Sequence, residues 1–192
     1  MAEAAPQRVT VAEFLPLIAH EEQLELVDGV VERRAAPASD HGILQFRLGA
    51  MLHPYHRKAG GPGGPGGWWL MSEVDTLYPR TEEVFRHDAQ GYRPDLHPQK
   101  PSGFPCSVVP EWVCEILSPG SARIDWMKKQ RTLHAHGVPH YWVIDPAAGL
   151  LTVLRHTPGG YVVALTAGPG DVVRAEPFDG IELSISELLG ED

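Results

Sequence analysis

Residues 111–146 constrain this chain more than any other stretch. Trp112-Val113-Cys114-Glu115-Ile116-Leu117 is an apolar run of strand length, and Ser118-Pro119-Gly120-Ser121 turns the chain with Ser121 as candidate N-cap. A helix then runs to about His136, stopped by Gly137 in the C′ position, and Tyr141-Trp142-Val143-Ile144 is a second apolar strand closed by Asp145-Pro146. Strand, helix, strand in that order is a βαβ unit with parallel strands, whose central members are buried on both faces. Glu115 therefore stands where the pattern asks for a hydrophobe. Removing even an uncharged polar group from water without a partner costs about 2–7 kcal/mol, so a carboxylate here calls for a compensating cation, metal or proton.

The rest of the chain supplies further elements around that unit. Thr10-Val11-Ala12-Glu13 has the spacing of a capping box and predicts a short helix disturbed by Pro16. Leu24–Val27 and Val30–Glu32 flank Asp28-Gly29, a dipeptide suited to a tight hairpin. Ser39 or Asp40 can cap a helix whose apolar residues Ile43, Leu44, Phe46, Leu48, Met51, Leu52 and Tyr55 share a helical face. Residues 59–67, nearly all Gly and Pro, hold neither helix nor strand and read as a flexible loop inside one domain spanning 1–192. Trp68–Leu77 reads as a strand, Thr81–Gln90 as a polar excursion, and Tyr92-Arg93-Pro94-Asp95-Leu96 as a short extended segment. Leu150–Leu154 and Tyr161–Leu165 form a hairpin across Pro158-Gly159-Gly160, and Ser184–Leu189 a terminal helix.

Bulk properties exclude several classes. A hydrophobic content of 43% with 21% charged residues is that of a globular chain. No stretch approaches the ~20 apolar residues of a membrane span, and the N-terminus lacks a basic segment followed by an apolar one, so a cytoplasmic protein without a membrane partner is expected. Cys106 and Cys114 are too few for a disulfide framework. The net charge of −9 argues against a surface that clings everywhere to nucleic acid, and residues 150–192 carry seven acids against only Arg155 and Arg174.

Hydrolysis of a phosphodiester uses a divalent ion held by converging oxygen ligands. Asp95 and Glu115, on neighbouring strands, are the candidate metal ligands, and Lys129 on the following helix is the candidate group that orients water or stabilises the transition state. Asp125 precedes Lys129 by one helical turn and is placed to hold it, and Lys128 is the fallback if the helix phase differs. The histidines His53, His56, His134, His136 and His140 lack the regular Cys/His spacing of structural zinc sites. Trp68, Trp69 and Trp112, with no basic run around them, read as core or interface aromatics.

These motifs in this order resemble the Uma-family restriction-endonuclease-like proteins of the PD-(D/E)XK nuclease superfamily, over nearly the whole chain. The resemblance rests on Leu24-Glu25-Leu26-Val27-Asp28-Gly29, His41, Arg93-Pro94-Asp95, Val113-Cys114-Glu115-Ile116-Leu117-Ser118-Pro119, Asp125 with Lys129, and Gly137 through Pro146. It implies an α/β fold, a restriction-endonuclease-like mixed β-sheet flanked by helices with additional β-hairpins. It also implies a Mg²⁺ (or Mn²⁺) site at Asp95 and Glu115, and DNA as substrate. Glu25 is the remaining family acid, a candidate for completing the metal's shell, and His41 is a candidate for the same pocket. The superfamily lysine would stand two residues after Glu115, where this chain has Leu117, and Lys129 takes its place in relatives of this kind. His97-Pro98 departs from the apolar continuation usual after the aspartate. A homodimer through Trp68-Trp69 or the acidic C-terminal region is compatible with the resemblance. Two functions stand open: a metal-dependent endonuclease with Asp95, Glu115, Lys129 and Glu25 as its machinery, and a nuclease fold with little or no catalysis that serves as a binding module.

Overall fold

The computed structural model describes residues 8–21, 23–36, 38–56, 66–118 and 122–191, without the side chains of 122–126. Most of the Gly/Pro loop (59–65), the Ser121 cap and the Asp125 side chain lie outside the described residues.

Local chemistry sets the first elements. The Thr10 hydroxyl accepts from the Glu13 N–H while the Glu13 carboxylate accepts from the Thr10 N–H, so α1 (Val11–Ile18) starts with both ends of a capping box made. Pro16 sits within the helix, which nonetheless buries Phe14 and Ile18, one turn apart. Strands β1 (Leu24–Val27) and β2 (Val30–Arg33) turn at Asp28 (φ 50°) and Gly29 (φ 74°), the paired positive angles of a type I′ hairpin. The helix α2 (Ser39–Leu52) differs at its start: Ala38 is the N-cap and no side chain caps it. It buries Leu44, Leu48 and Leu52, whereas Ile43 and Phe46 are exposed, so its buried stripe is narrower than the apolar pattern suggests.

The segment read as one strand from Trp68 is two, β3 (Trp69–Met71) and β4 (Val74–Tyr78), and these belong to different sheets. The expected polar excursion is also two strands, β5 (Glu83–His87) and β6 (Ala89–Tyr92), and every residue of β5 is buried. Composition hid them because their polar side chains are paired inside the protein. Arg86 forms a two-pronged contact with Asp75, Glu83 accepts from the Thr132 hydroxyl and the Asp28 N–H, and His87 bonds Tyr78 and Glu115.

Beyond them come β7 (Trp112–Ile116), the crossover helix α3 (Ala122–Ala135), β8 (His140–Asp145) and the long hairpin β9 (Leu150–Thr157) and β10 (Gly160–Ala167). The chain closes with β11 (Val172–Val173), β12 (Leu183–Ser184) and α4 (Ile185–Leu189), capped by Ser184. Gly137 follows α3 at φ 70°, the left-handed position that ends such helices.

A four-stranded antiparallel sheet has order β2-β1-β5-β4, and a six-stranded sheet has order β10-β9-β8-β7-β6-β3, in which β7 and β8 are parallel and the other neighbours antiparallel. This is the α/β mixed-sheet fold, flanked by helices, that the resemblance implied, with the βαβ unit's two parallel strands, β7 and β8, inside it. One face of the six-stranded sheet packs Trp112, Cys114, Trp142 and Ile144 against α2 and α4, around Phe178. On the other face Val113, Tyr141 and Val143 meet Leu133 of α3 and Val27, Tyr78 and Phe85 of the smaller sheet. The chain passes from one sheet to the other in a single residue, Asp88, between the end of β5 and the start of β6.

Gly91 makes the close packing of β6 possible. A Cβ there would lie 3.0 Å from Leu70 Cδ2, 3.1 Å from Trp68 Cε3 and 3.2 Å from Trp112 Cε3. Gly91→Ala is therefore expected to destabilise the fold by ~1–3 kcal/mol through overpacking. The check is a lower urea midpoint with an unchanged denaturant slope.

Candidate active site

Glu115 lies at the centre of β7 on the face shared with Val113, turned toward α3 and the smaller sheet. Lys129 of α3 descends onto it: the buried ammonium is 3.3 Å from both Glu115 oxygens and 2.9 Å from Oε1 of Glu25 on β1. Its Nζ also stands 5.6 Å from the Phe85 ring centroid. Glu25 Oε1 accepts the Arg86 N–H at 2.9 Å, fixing the carboxylate to β5. His87 Nδ1 is 2.5 Å from Glu115 Oε1 and its Nε2 2.6 Å from the Tyr78 hydroxyl. With the ring proton on Nδ1, His87 donates to Glu115 and accepts from Tyr78, whose buried phenol is pushed well up in pKa and keeps its proton.

Asp88 completes the group. The antiparallel register Ala89↔Cys114, extended by one residue, sets it opposite Glu115 on the same sheet face. It is 1% exposed, Oδ2 accepts the Ile116 N–H at 2.6 Å, and Oδ1 meets Arg34 Nη2 at 2.7 Å and His41 Nε2 at 3.2 Å. Arg34 also donates to Glu73, and Gln45 Nε2 bonds both Glu73 and the Asp88 carbonyl. These side chains line a cavity of about 110 Å³ bounded by Glu25, Arg34, His41, Asp88, Glu115 and Lys129 among others.

Charge balance governs the protonation of the group. Burial works to raise the Glu115 pKa, but Lys129, the His87 hydrogen bond and Arg34 outweigh it and hold the carboxyl at about 2. Burial likewise works to lower Lys129 and Arg34, and the surrounding carboxylates, Glu115 and Glu25 foremost, push both upward instead. His41 is raised above its ordinary value, chiefly by its hydrogen bond to Asp88.

The structure thus brings Glu25, Glu115 and Lys129 together, with His41 at the same pocket. It does not bring Asp95 there. Asp95 stands in a turn, its side chain 57% exposed and paired with Arg93, outside the cavity. The extended reading of 92–96 fails because β6 pairing with β7 ends at Gly91↔Trp112, the Arg93 N–H is taken by the Glu111 carboxylate, and Pro94 has no N–H to give. Asp88, seven residues earlier, holds the position expected of Asp95. The signal for it was the same as for Asp95, an acid at the head of a short strand, and the polar residues around it concealed that strand. Nothing in the sequence pattern singled out Arg34 or His87. Lys128 pairs with Glu32 at 2.8 Å.

The donor set is suited to a hard divalent cation. Asp88, Glu115, Glu25 and Glu32 offer carboxylate oxygens against the permanent cations Lys129, Arg33 and Arg34, so these groups leave the cavity with excess negative charge. Ligand atoms of His41, Glu73 and Asp88 also lie within 4.8 Å of one another, a spacing that a metal ion could bridge.

A family model described as "Putative restriction endonuclease", Uma2, matches residues 11–186. The chain belongs to the Uma2 family. No curated protein matches this Uma2 chain. A crystal structure described as a putative nuclease of DUF820 from Anabaena variabilis ATCC 29413 is similar at a TM-score of 0.71 and 21% identity, covering 95% of this chain and 98% of that one. At that identity the likeness concerns the fold, the mixed sheet and flanking helices described above. No helix among the described residues of this Uma2 protein is long and apolar enough to cross a membrane.

The carboxylate network has a stability signature with a definite sign. Glu115 has a folded pKa of about 2 against 4.5 unfolded, so its contribution is present above pH 4.5 and lost as pH falls toward 2. Lys129→Met leaves Glu25 and Glu115 buried without their cation and is expected to cost ~3–5 kcal/mol at pH 7. That cost should shrink as pH falls, because the variant's Glu115, without its lysine, takes a proton more readily, while the wild type loses its own Glu115 contribution between pH 4.5 and 2. Urea unfolding of both proteins at pH 7 and pH 3 checks this; an equal cost at the two pH values would contradict the charge balance described.

Proposed function

We propose that this protein is a metal-dependent endonuclease that hydrolyses DNA phosphodiester bonds. One observation carries the reading: a buried lysine ammonium bridges Glu25 and Glu115 in a cavity that Asp88 enters from the adjoining strand. Asp88 and Glu115 are the residues that would hold Mg²⁺ or Mn²⁺, with Glu25 supporting the shell. Such an ion supplies Lewis acidity toward a phosphoryl oxygen and makes water a better nucleophile at neutral pH.

The protein's own groups do the rest. Lys129 keeps its proton, and Glu25 holds its ammonium beside Glu115, where it offers fixed positive charge to the phosphorane-like oxygens as they develop. His87 and Tyr78 fix the rotamer of Glu115 from behind, and the Ile116 N–H does the same for Asp88. Depressed well below neutrality, Glu115 is a carboxylate throughout the physiological range and is ready to bind a cation without first losing a proton. The substrate phosphate approaches past Arg33 and Arg34, which line the same cavity and offset the acidity of the chain as a whole.

A second reading is a nuclease fold kept for binding with little catalysis. It is favoured by the state of Asp88, both of whose oxygens already have partners in Arg34, His41 and the Ile116 N–H. Calorimetry separates the two: the endonuclease reading expects Mn²⁺ binding that Glu115→Gln abolishes.

Supercoiled plasmid incubated with purified protein and Mn²⁺ tests catalysis directly. Nicking is expected from the wild type, reduced on the order of a hundredfold or more by Asp88→Asn or Glu115→Gln. Asp95→Ala, which alters only an exposed turn, should retain the wild-type rate. Equal nicking by wild type and the Asp88→Asn, Glu115→Gln double variant would overturn the proposal.

A further inference from the structure

A second, larger cavity of about 720 Å³ runs alongside α2 on the opposite side of the Asp88–Ala89 step from the carboxylate cluster. Its wall is the α2 stripe Gly42, Phe46, Gly49 and His53, and its floor includes Leu70, Ala89 and Trp112. Three features distinguish it from an ordinary surface crease. Phe46 is 79% exposed, more than any other large hydrophobic side chain described. A Cβ on Gly42 or Gly49 would meet nothing within 4 Å, so the helix leaves open space where alanine would serve helix stability better. No lining residue is acidic, although the chain has 25 Asp and Glu.

Gln45 ties this groove to the candidate active site. It lines the groove while its Nε2 bonds the Asp88 carbonyl at 2.7 Å, and Ala89, the next residue, forms part of the floor. Gln45 and the Asp88–Ala89 step thus link the two cavities.

We propose that the groove receives one unpaired nucleobase of the substrate, the base flanking the phosphodiester presented to Asp88 and Glu115, stacked against Phe46. The inference rests on the endonuclease reading for its orientation. A nucleobase matches the space: its flat π face suits an exposed phenyl ring, and its uncharged body needs no carboxylate or counter-ion. A volume in the ~300–1,000 Å³ range of ligand pockets is ample for it. The substrate so selected has a single-stranded, flapped or otherwise unpaired nucleotide at the cut, since a stacked duplex cannot deliver a base there.

The test uses a single-stranded oligonucleotide carrying 2-aminopurine, in EDTA so that binding is read without cleavage, beside the plasmid assay. Expected is quenching of the 2-aminopurine by wild type and by Glu115→Gln, and weaker quenching of the paired duplex. Phe46→Ala, which removes the stacking ring, and Gly49→Leu, which fills the groove from a position with room for a side chain, should each weaken binding on the order of tenfold with an unchanged urea midpoint. Equal binding by wild type and both variants overturns the proposal, as does a wild type that nicks plasmid yet fails to quench. Quenching that depends on Phe46 in a protein without Mn²⁺-dependent nicking upholds the groove and overturns the endonuclease reading instead.

Discussion

A lysine ammonium removed from water costs several kcal/mol unless opposite charge replaces its hydration, and Lys129 finds that replacement from two different sheets. Glu25 reaches it from β1 of the smaller sheet, Glu115 from β7 of the larger, and α3 delivers the lysine from above. The contact therefore ties together three pieces of the fold that share no backbone ladder. It is also unforgiving. With the lysine removed, two like charges are left buried and unbalanced, which is the condition under which buried ion pairs become costly; with either glutamate removed, the ammonium keeps a single partner. Packing of Val27, Phe85, Val113 and Leu133 around the group supplies the apolar surroundings that make the balance matter.

The geometry that permits this balance is made at one residue. Because β5 ends at His87 and β6 starts at Ala89, the chain changes sheet at Asp88, and two consecutive side chains arrive at the seam. His87 braces Glu115 and Asp88 accepts from Ile116, so both lock onto the strand that bears Glu115 and the residue beside it. Side chains held on strands by packing and backbone donors keep their positions better than side chains carried on loops. The exposed turn that holds Asp95 offers no such support.

The βαβ unit was legible because apolar runs and a Gly stop leave little choice: Trp112–Ile116, Ala122–Ala135 and His140–Asp145 follow the pattern closely. The Asp28-Gly29 hairpin and the Thr10 capping box were legible for local reasons, a turn geometry and a reciprocal hydrogen bond. Glu115 announced itself as a carboxylate in an apolar strand and Lys129 as a cation on the helix that follows it, and Glu25 followed from the resemblance. Strands β5 and β6 were not legible. Their burial depends on partners far away in sequence, Asp75 for Arg86, Thr132 for Glu83 and Arg34 for Asp88, and no window of local sequence contains such pairs. Reading those strands as a loop displaced the second acid from Asp88 to Asp95. The narrower buried stripe of α2 was missed for a related reason, since Ile43 and Phe46 share a helical pattern with Leu44 and Leu48 but face outward.

Charge and strand geometry bear together on what the pocket can accept. Asp88, Glu115, Glu25 and Glu32 against Lys129, Arg33 and Arg34 leave one net negative charge in the cavity while His41 is neutral. On the endonuclease reading, a divalent ion and a single phosphodiester added together bring that total to neutrality, whereas a phosphodiester alone deepens the excess and an ion alone reverses it. Alternation along β6 then determines where the remainder of the nucleotide goes. Asp88 and Ala89 point to opposite faces of the sheet, and on the proposed reading a phosphate at the first would have its base at the groove floored by the second. The same single-residue step that joins the two sheets would thus separate the charged half of a nucleotide from its aromatic half, each into a compartment of matching chemistry.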